Sequence, residues 1–127
     1  MTTRKIVYTS DAPEAIGPYS QGIITGETLY VSGQIPLDPQ TGSFAGDDIS
    51  SQTYQVMNNV KAIVEAAGSS MSKVIKCSIF LADMGDFATV NQIYGSYFGD
   101  EPPAREAIAV KTLPKNAKVE VSCIALV

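Results

Sequence analysis

The sequence predicts an α+β two-layer sandwich in which two helices cover one face of a mixed sheet, in the element order βββαβαββ. Three observations point there. Six short strand-like runs are set off by turn signals or by helical stretches; two longer stretches carry the three-four spacing of an amphipathic helix; and a strand separates the two helices. The 127 residues suit one domain, spanning 1–127, and 45% apolar residues with only 17% charged fill its core without disulfide or metal staples.

Arg4 to Thr9 reads as an edge strand, and the loop Asp11-Ala-Pro-Glu-Ala-Ile-Gly-Pro18 follows because two prolines and a glycine forbid regular pairing. Gln21 to Thr25 and Thr28 to Ser32 flank Gly26-Glu27, where glycine at the first turn position supplies the positive φ of a type II′ hairpin. From Gly33 to Gly46 the chain makes a punctuated excursion through Pro36, Asp38-Pro39 and Thr41-Gly42, of a length that is usually functional or tied to a neighbour. Ile49, Thr53, Val56, Met57, Val60, Ile63, Val64 and Ala67 then form one helical face, with Asp47, Asp48 and Ser50 as candidate caps and Gly68 as the stop. Val74 to Leu81 is a strand whose core face is Ile75, Cys77, Ile79 and Leu81. Asp83 or Asp86 caps a second helix reaching Phe98, with the stripe Met84, Phe87, Val90/Asn91, Tyr94, Tyr97/Phe98. Two closing strands, Ala104 to Lys111 and Val119 to Val127, are joined around Pro114-Lys-Asn as a second hairpin. Apolar residues occur at both parities of the strands, among them Ile24, Val31, Ile108, Val110, Ile124 and Leu126. Two helices bury only one sheet face, so the other calls for a second subunit.

Composition narrows the chemistry. Nine Lys and Arg against thirteen Asp and Glu leave a net charge of -4, which supplies no electrostatic footprint for nucleic acid or an anionic membrane. Histidine is absent, which removes Ser/His and Cys/His nucleophile pairs, an imidazole base and His-ligated zinc. Cys77 and Cys123 lie inside apolar runs and read as buried reduced thiols of a cytoplasmic protein. No leader-like N-terminus and no apolar stretch near 18 residues is present, so an unprocessed, soluble chain is expected.

Five polar residues stand beside apolar strands. Arg105 offers a fork of donors suited to a carboxylate, whether that of Glu120, of another subunit or of a substrate. Glu120 shares a strand face with Ser122, Ile124 and Leu126, where a desolvated carboxyl would be poised for proton transfer, or it is a rim charge. Ser32 and the following Gly33 suit close approach to a ligand, or simply a strand end. Asn91 interrupts the helical stripe either to cap a buried backbone group or to bind, and Tyr19 packs its ring or offers its hydroxyl. These residues alone describe a small carboxylate-binding pocket.

In order and spacing, the segments Ile16-Gly-Pro-Tyr-Ser-Gln-Gly22, Val31-Ser-Gly-Gln-Ile-Pro36, Asn58-Asn-Val-Lys-Ala-Ile-Val-Glu-Ala-Ala-Gly68, Asp86-Phe-Ala-Thr-Val-Asn91, Pro103-Ala-Arg105 and Leu113-Pro114 with Val119-Glu-Val121 resemble the RidA family of reactive intermediate deaminases, also called the YjgF family. The resemblance runs from about Arg4 to Val127. It implies a chorismate-mutase-like (bacillus type) fold assembled as a homotrimer, with active sites in clefts between subunits. It also implies hydrolysis of 2-imino and enamine acids such as 2-aminoacrylate and 2-aminocrotonate to 2-keto acids and ammonia, without metal or cofactor. By the same resemblance Arg105 grips the substrate carboxylate, Glu120 positions the attacking water, the backbone at Ala107 takes part in binding, and Tyr19, Ser32, Gly33 and Asn91 line the pocket. Where many relatives read Arg-Ser-Cys, this chain reads Arg105-Glu106-Ala107; strand alternation sends the Glu106 side chain to the face opposite Arg105. Two other functions are weighed: a non-catalytic sensor of small 2-keto acids, and a ribonuclease or translation inhibitor, which the net charge and the missing histidine disfavour.

Overall fold

The computed structural model describes residues 3–127. Its strands are β1 (Arg4–Val7), β2 (Gly22–Thr25), β3 (Thr28–Gln34), β4 (Val74–Leu81), β5 (Ala104–Ala109) and β6 (Val119–Leu126), joined in one sheet of order β1-β2-β3-β6-β4-β5. Every pairing is antiparallel except that of β4 with β5. Two helices, α1 (Ile49–Ala66) and α2 (Phe87–Gly95), complete the predicted α+β order, and α1 packs on the middle strands β3 and β6.

Local chemistry explains the elements read correctly. Gly26 sits at φ +58 while Glu27 keeps a negative φ, the pattern of a type II′ turn, so β2 and β3 pair as the predicted hairpin. The Asp48 carboxylate accepts the Ser51 N–H at 2.9 Å and caps α1. At the other end Gly68 takes φ +83, its N–H donating to the Glu65 carbonyl and the Ser69 N–H to the Val64 carbonyl, which closes a Schellman motif. Between the caps Val56, Met57, Val60, Ile63 and Val64 are completely buried, at roughly 1.5–3 kcal/mol for each large side chain. They meet Leu29, Val31, Cys77, Ile79, Leu81, Val119, Val121, Cys123 and Ala125 on the covered face of the sheet. Both cysteines are buried and free.

Four expectations are corrected. The closing strands do not form a hairpin: β5 pairs in parallel with β4 at the sheet edge, and β6 inserts between β3 and β4, where its alternating Val119, Val121, Cys123 and Ala125 are buried. Ile75 is 43% exposed instead of buried, because a register shift between Val74 and Lys76 turns it off the covered face. The second helix ends at Gly95 instead of Phe98, and residues 96–98 continue as tighter i to i+3 turns. Ahead of it, Asp83 caps a short 3-10 turn, Met84–Asp86, by accepting the Gly85 N–H at 2.8 Å.

The long loop after β3 is tied to α1. Buried Asn59 donates to the carbonyls of Ile35 and Leu37 at 3.2 and 2.9 Å, and buried Gln52 donates to that of Gly46 at 3.1 Å. Opposite the helices the sheet has no cover among the described residues: Ile6, Tyr30, Ile108 and Leu126 are all exposed there.

Candidate functional site

The predicted site residues fall into two clefts. Glu120, on β6, lies at the wall of one of about 400 Å³ together with Tyr19, Ser32, Gly33, Ile16, Ile35 and Pro114. The carboxylate is half-buried, and loss of solvation holds its pKa above the ordinary 4.5. No cation faces it: among the described residues the one salt bridge is Lys76–Glu106, elsewhere on the sheet. Gly33 is what lets the carboxylate sit there. A Cβ at that position would lie 2.0 Å from Glu120 Oε2 and 3.0 Å from Cδ, too close for either to stay. The backbone there is released by a shift of the β3–β6 register between Val31 and Gln34. Ser32 clamps this wall, its N–H donating to the Gln21 carbonyl at 2.9 Å and its hydroxyl to that of Ser20 at 2.6 Å. Tyr19 Oη accepts the Ile16 N–H at 3.2 Å, leaving its own proton to donate.

The second cleft, of about 240 Å³, is lined by Arg105, Asn91, Tyr94, Gly95, Pro102 and Pro103. Arg105 projects from edge strand β5, and Asn91 on α2 accepts a hydrogen bond from its Nη1. Asn91 is exposed and serves the guanidinium, where a buried backbone group was the alternative. The guanidinium carbon lies 5.1 Å from the Tyr94 ring centre and 5.5 Å from that of Phe87. Among the described residues no carboxylate pairs with it, so most of its five N–H donors stay open. Ala107, two residues along β5, turns its methyl to the core. Among the described residues the outer edge of this strand has no partner strand, which leaves alternate main-chain groups accessible.

One chain does not bring Arg105 and Glu120 together. Arg105 is in register with Cys77, whose side chain is under the helices, whereas Glu120 is in register with Phe80 and flanked by the fully buried Val119 and Val121. Alternation therefore sends the two side chains to opposite faces of the sheet, with β4 between their strands. Glu106 also points away from Arg105. It bonds the Ser78 hydroxyl and pairs with Lys76 Nζ at 2.9 Å on the open face, and both contacts hold its carboxyl below the usual range.

The thiols are not nucleophile candidates. Burial pushes Cys123 up to about 12 with a further push from neighbouring Cys77, and burial raises Cys77 as well. Among the described residues no group of three or more Cys, Asp or Glu is placed to hold a metal ion. No helix among them is long and apolar enough to cross a membrane. Phe87 and Tyr94 were read from sequence only as part of an apolar stripe. Their signal is the spacing Phe87, Asn91, Tyr94, which puts one polar residue between two rings on one helical face.

A family model described as endoribonuclease L-PSP matches residues 9–127. A RutC family protein of Pyrococcus horikoshii is 49% identical over 122 residues, covering 96% of this chain and 97% of the relative. The crystal structure of YyfA of Yersinia pestis, a member of the Rid protein family, superposes with a TM-score of 0.96 at 44% identity, over 98% of this chain and 100% of that one. Escherichia coli TdcF with bound serine gives a TM-score of 0.92 at 43% identity, over 97% and 98%.

Proposed function

Because the chain belongs to the endoribonuclease L-PSP family, the RidA family that its sequence resembles, we propose that it hydrolyses 2-imino acids and their enamine tautomers, such as 2-aminoacrylate and 2-aminocrotonate, to 2-keto acids and ammonia. The observation that carries this reading is a pair of unsatisfied chemistries: an arginine fork without a carboxylate partner in one cleft, and a desolvated carboxylate without a cation in the other. A small imino acid needs both. Arg105 takes its carboxylate through paired N–H groups, and ionised Glu120 accepts a proton from water as the oxygen attacks C2. That proton passes to the substrate nitrogen to give a carbinolamine; Glu120 then carries the hydroxyl proton to the same nitrogen as the C2–N bond breaks, so ammonia leaves and C2 becomes the carbonyl carbon. Imines hydrolyse unaided in water, so orientation and one base suffice. Serine, bound in the E. coli relative, has the α-carboxylate and nitrogen-bearing carbon of such a substrate.

Since the two clefts open on opposite faces of the sheet, the site closes only when one copy lays its Arg105 cleft against the Glu120 cleft of the next. Three copies in a ring give a homotrimer with three such seams and cover the apolar open face. Tyr19, Ser32 and Gly33 then come from the Glu120 side, and Asn91 and Ala107 from the Arg105 side.

The open arginine fork favours one other reading, a non-catalytic holder of 2-keto acids. Ribonuclease action, which the family's description names, has neither a basic surface nor a histidine to support it in a chain of net charge -4. The deciding experiment times ammonia release from 2-aminoacrylate generated in place by a dehydratase. Arg105→Ala lowers kcat/KM by roughly a hundredfold or more, the loss for two charge-assisted hydrogen bonds. Equal rates in mutant and wild type would remove the catalytic assignment, and release no faster than without protein would leave the binder.

A further inference from the structure

Arg105 is an exposed side chain on an edge strand, the setting in which an arginine is normally free to sample many rotamers. Here one face of α2 meets it. Phe87, Asn91 and Tyr94, spaced i, i+4 and i+7, offer a ring, a carbonyl acceptor and a second ring, with the guanidinium carbon 5.5 and 5.1 Å from the two ring centres. Tyr94 is itself immobilised. It is 4% exposed, and its ring packs against Phe98 at 4.8 Å between centres. Its buried hydroxyl lies towards the Cys77 thiol and makes no hydrogen bond to the guanidinium, so the tyrosine contributes here through its ring.

We propose that Phe87 and Tyr94 are positioning residues that clamp the Arg105 guanidinium before a ligand arrives, so that the open donors present a preformed fork to a carboxylate. That the carboxylate belongs to a 2-imino acid rests on the function proposed above; the clamp itself does not. An arginine ordered in advance surrenders less rotamer freedom on binding, so removing one ring weakens carboxylate binding about tenfold while leaving the chemical step in place.

The chain contains two arginines, Arg4 and Arg105, which makes a direct test clean. Labelling arginine Nε with ¹⁵N in the assembled protein yields two side-chain signals, and Arg4, exposed near the N-terminus, is the reference for a free side chain. The clamp predicts an order parameter near about 0.8 for Arg105 against less than about 0.6 for Arg4. Tyr94→Leu and Phe87→Leu bring Arg105 down towards Arg4, and Tyr94→Phe, which keeps the ring, restores it. In parallel, KM rises about tenfold in the leucine variants with kcat within about twofold. Val90→Ala, a cavity in the same helix away from the guanidinium, is the control for general loosening. It lowers the melting temperature and leaves both readouts unmoved. The proposal is overturned by an Arg105 as mobile as Arg4 in the wild type, by one that stays rigid in both leucine variants, or by equal loosening in Val90→Ala. Failure of the deaminase reading looks different: the order parameters behave as described while Arg105→Ala hydrolyses imines at the wild-type rate.

Discussion

Glu120 is a carboxylate kept half out of water with no cation to compensate it, and that placement makes opposite demands on stability and on catalysis. Its folded-state pKa is raised, so the folded protein holds the proton more tightly than the unfolded chain does. The stability linked to it is complete below about pH 4, where both states are protonated, and is lost as pH rises through the folded pKa. Glu120→Gln, which never ionises, therefore melts higher than wild type at pH 7 and equal to it near about pH 3.5. The same substitution slows turnover by about a hundredfold, with less than about a threefold change in ligand affinity. It also abolishes an acid limb of kcat/KM that in the wild type lies above the usual carboxylate range. Calorimetric melts at the two pH values and a pH–rate profile check both signs, and a pure affinity effect would make Glu120 a binding group. Gly33 shows why part of this site was hard to read. The Ser32-Gly33 pair has the composition of an ordinary strand end, and only the contact with a residue far along the chain reveals that a side chain there would take the carboxylate's place. Sequence alone leaves Gly33 open between close approach to a ligand and a plain strand end, and the resemblance favours the first. The chemical types of Arg105 and Glu120, by contrast, were legible from their positions on apolar strands.

At the scale of elements, what sequence revealed was what local chemistry decides. The Gly26-Glu27 hairpin and the Asp48 and Gly68 ends of α1 are set by turn and capping residues within a few positions. The partner of β5 is not: a parallel pairing with β4, with β6 inserted beyond it, is chosen by which strands bury both flanks, and alternation within β5 is silent on that. The bulge at Ile75 likewise has no glycine or proline to announce it. Helix α1 does more than fill the core, because buried Asn59 holds the Ile35 and Leu37 carbonyls and accepts from Gln55 at 2.8 Å. Asn59→Leu leaves the Leu37 carbonyl unpaired in the interior, while that of Ile35 keeps the Leu37 N–H at 2.8 Å, and costs about 1–3 kcal/mol at the upper bound of no rearrangement. Since Ile35 lines the Glu120 cleft, the loosened loop also raises KM more than it lowers kcat. Urea unfolding measures the first effect and steady-state kinetics the second. A variant as stable as wild type would show the loop holds its place without this asparagine.

For the whole molecule the decisive geometry is the sheet that separates Arg105 from Glu120. If catalysis needs both, each active site combines the arginine of one copy with the glutamate of another, and two inactive variants complement each other. Arg105→Ala retains Glu120, and Glu120→Ala retains Arg105. In a ring with one arginine and one glutamate meeting at each seam, a seam works when the arginine side comes from the second variant and the glutamate side from the first. Random assembly of equal amounts makes that happen at about a quarter of seams. Co-refolding the two variants is thus expected to restore about a quarter of the wild-type rate, while separate refolding and late mixing restores none until subunits exchange. The mass of the assembled protein by light scattering should be three times that of the 127-residue chain. Sites built within a single copy would leave the mixture inactive at every ratio, because every chain would then carry one defect into its own site. The dependence on ratio discriminates further: restored activity is greatest at equal amounts and falls symmetrically to either side, since an intact seam needs one chain of each kind.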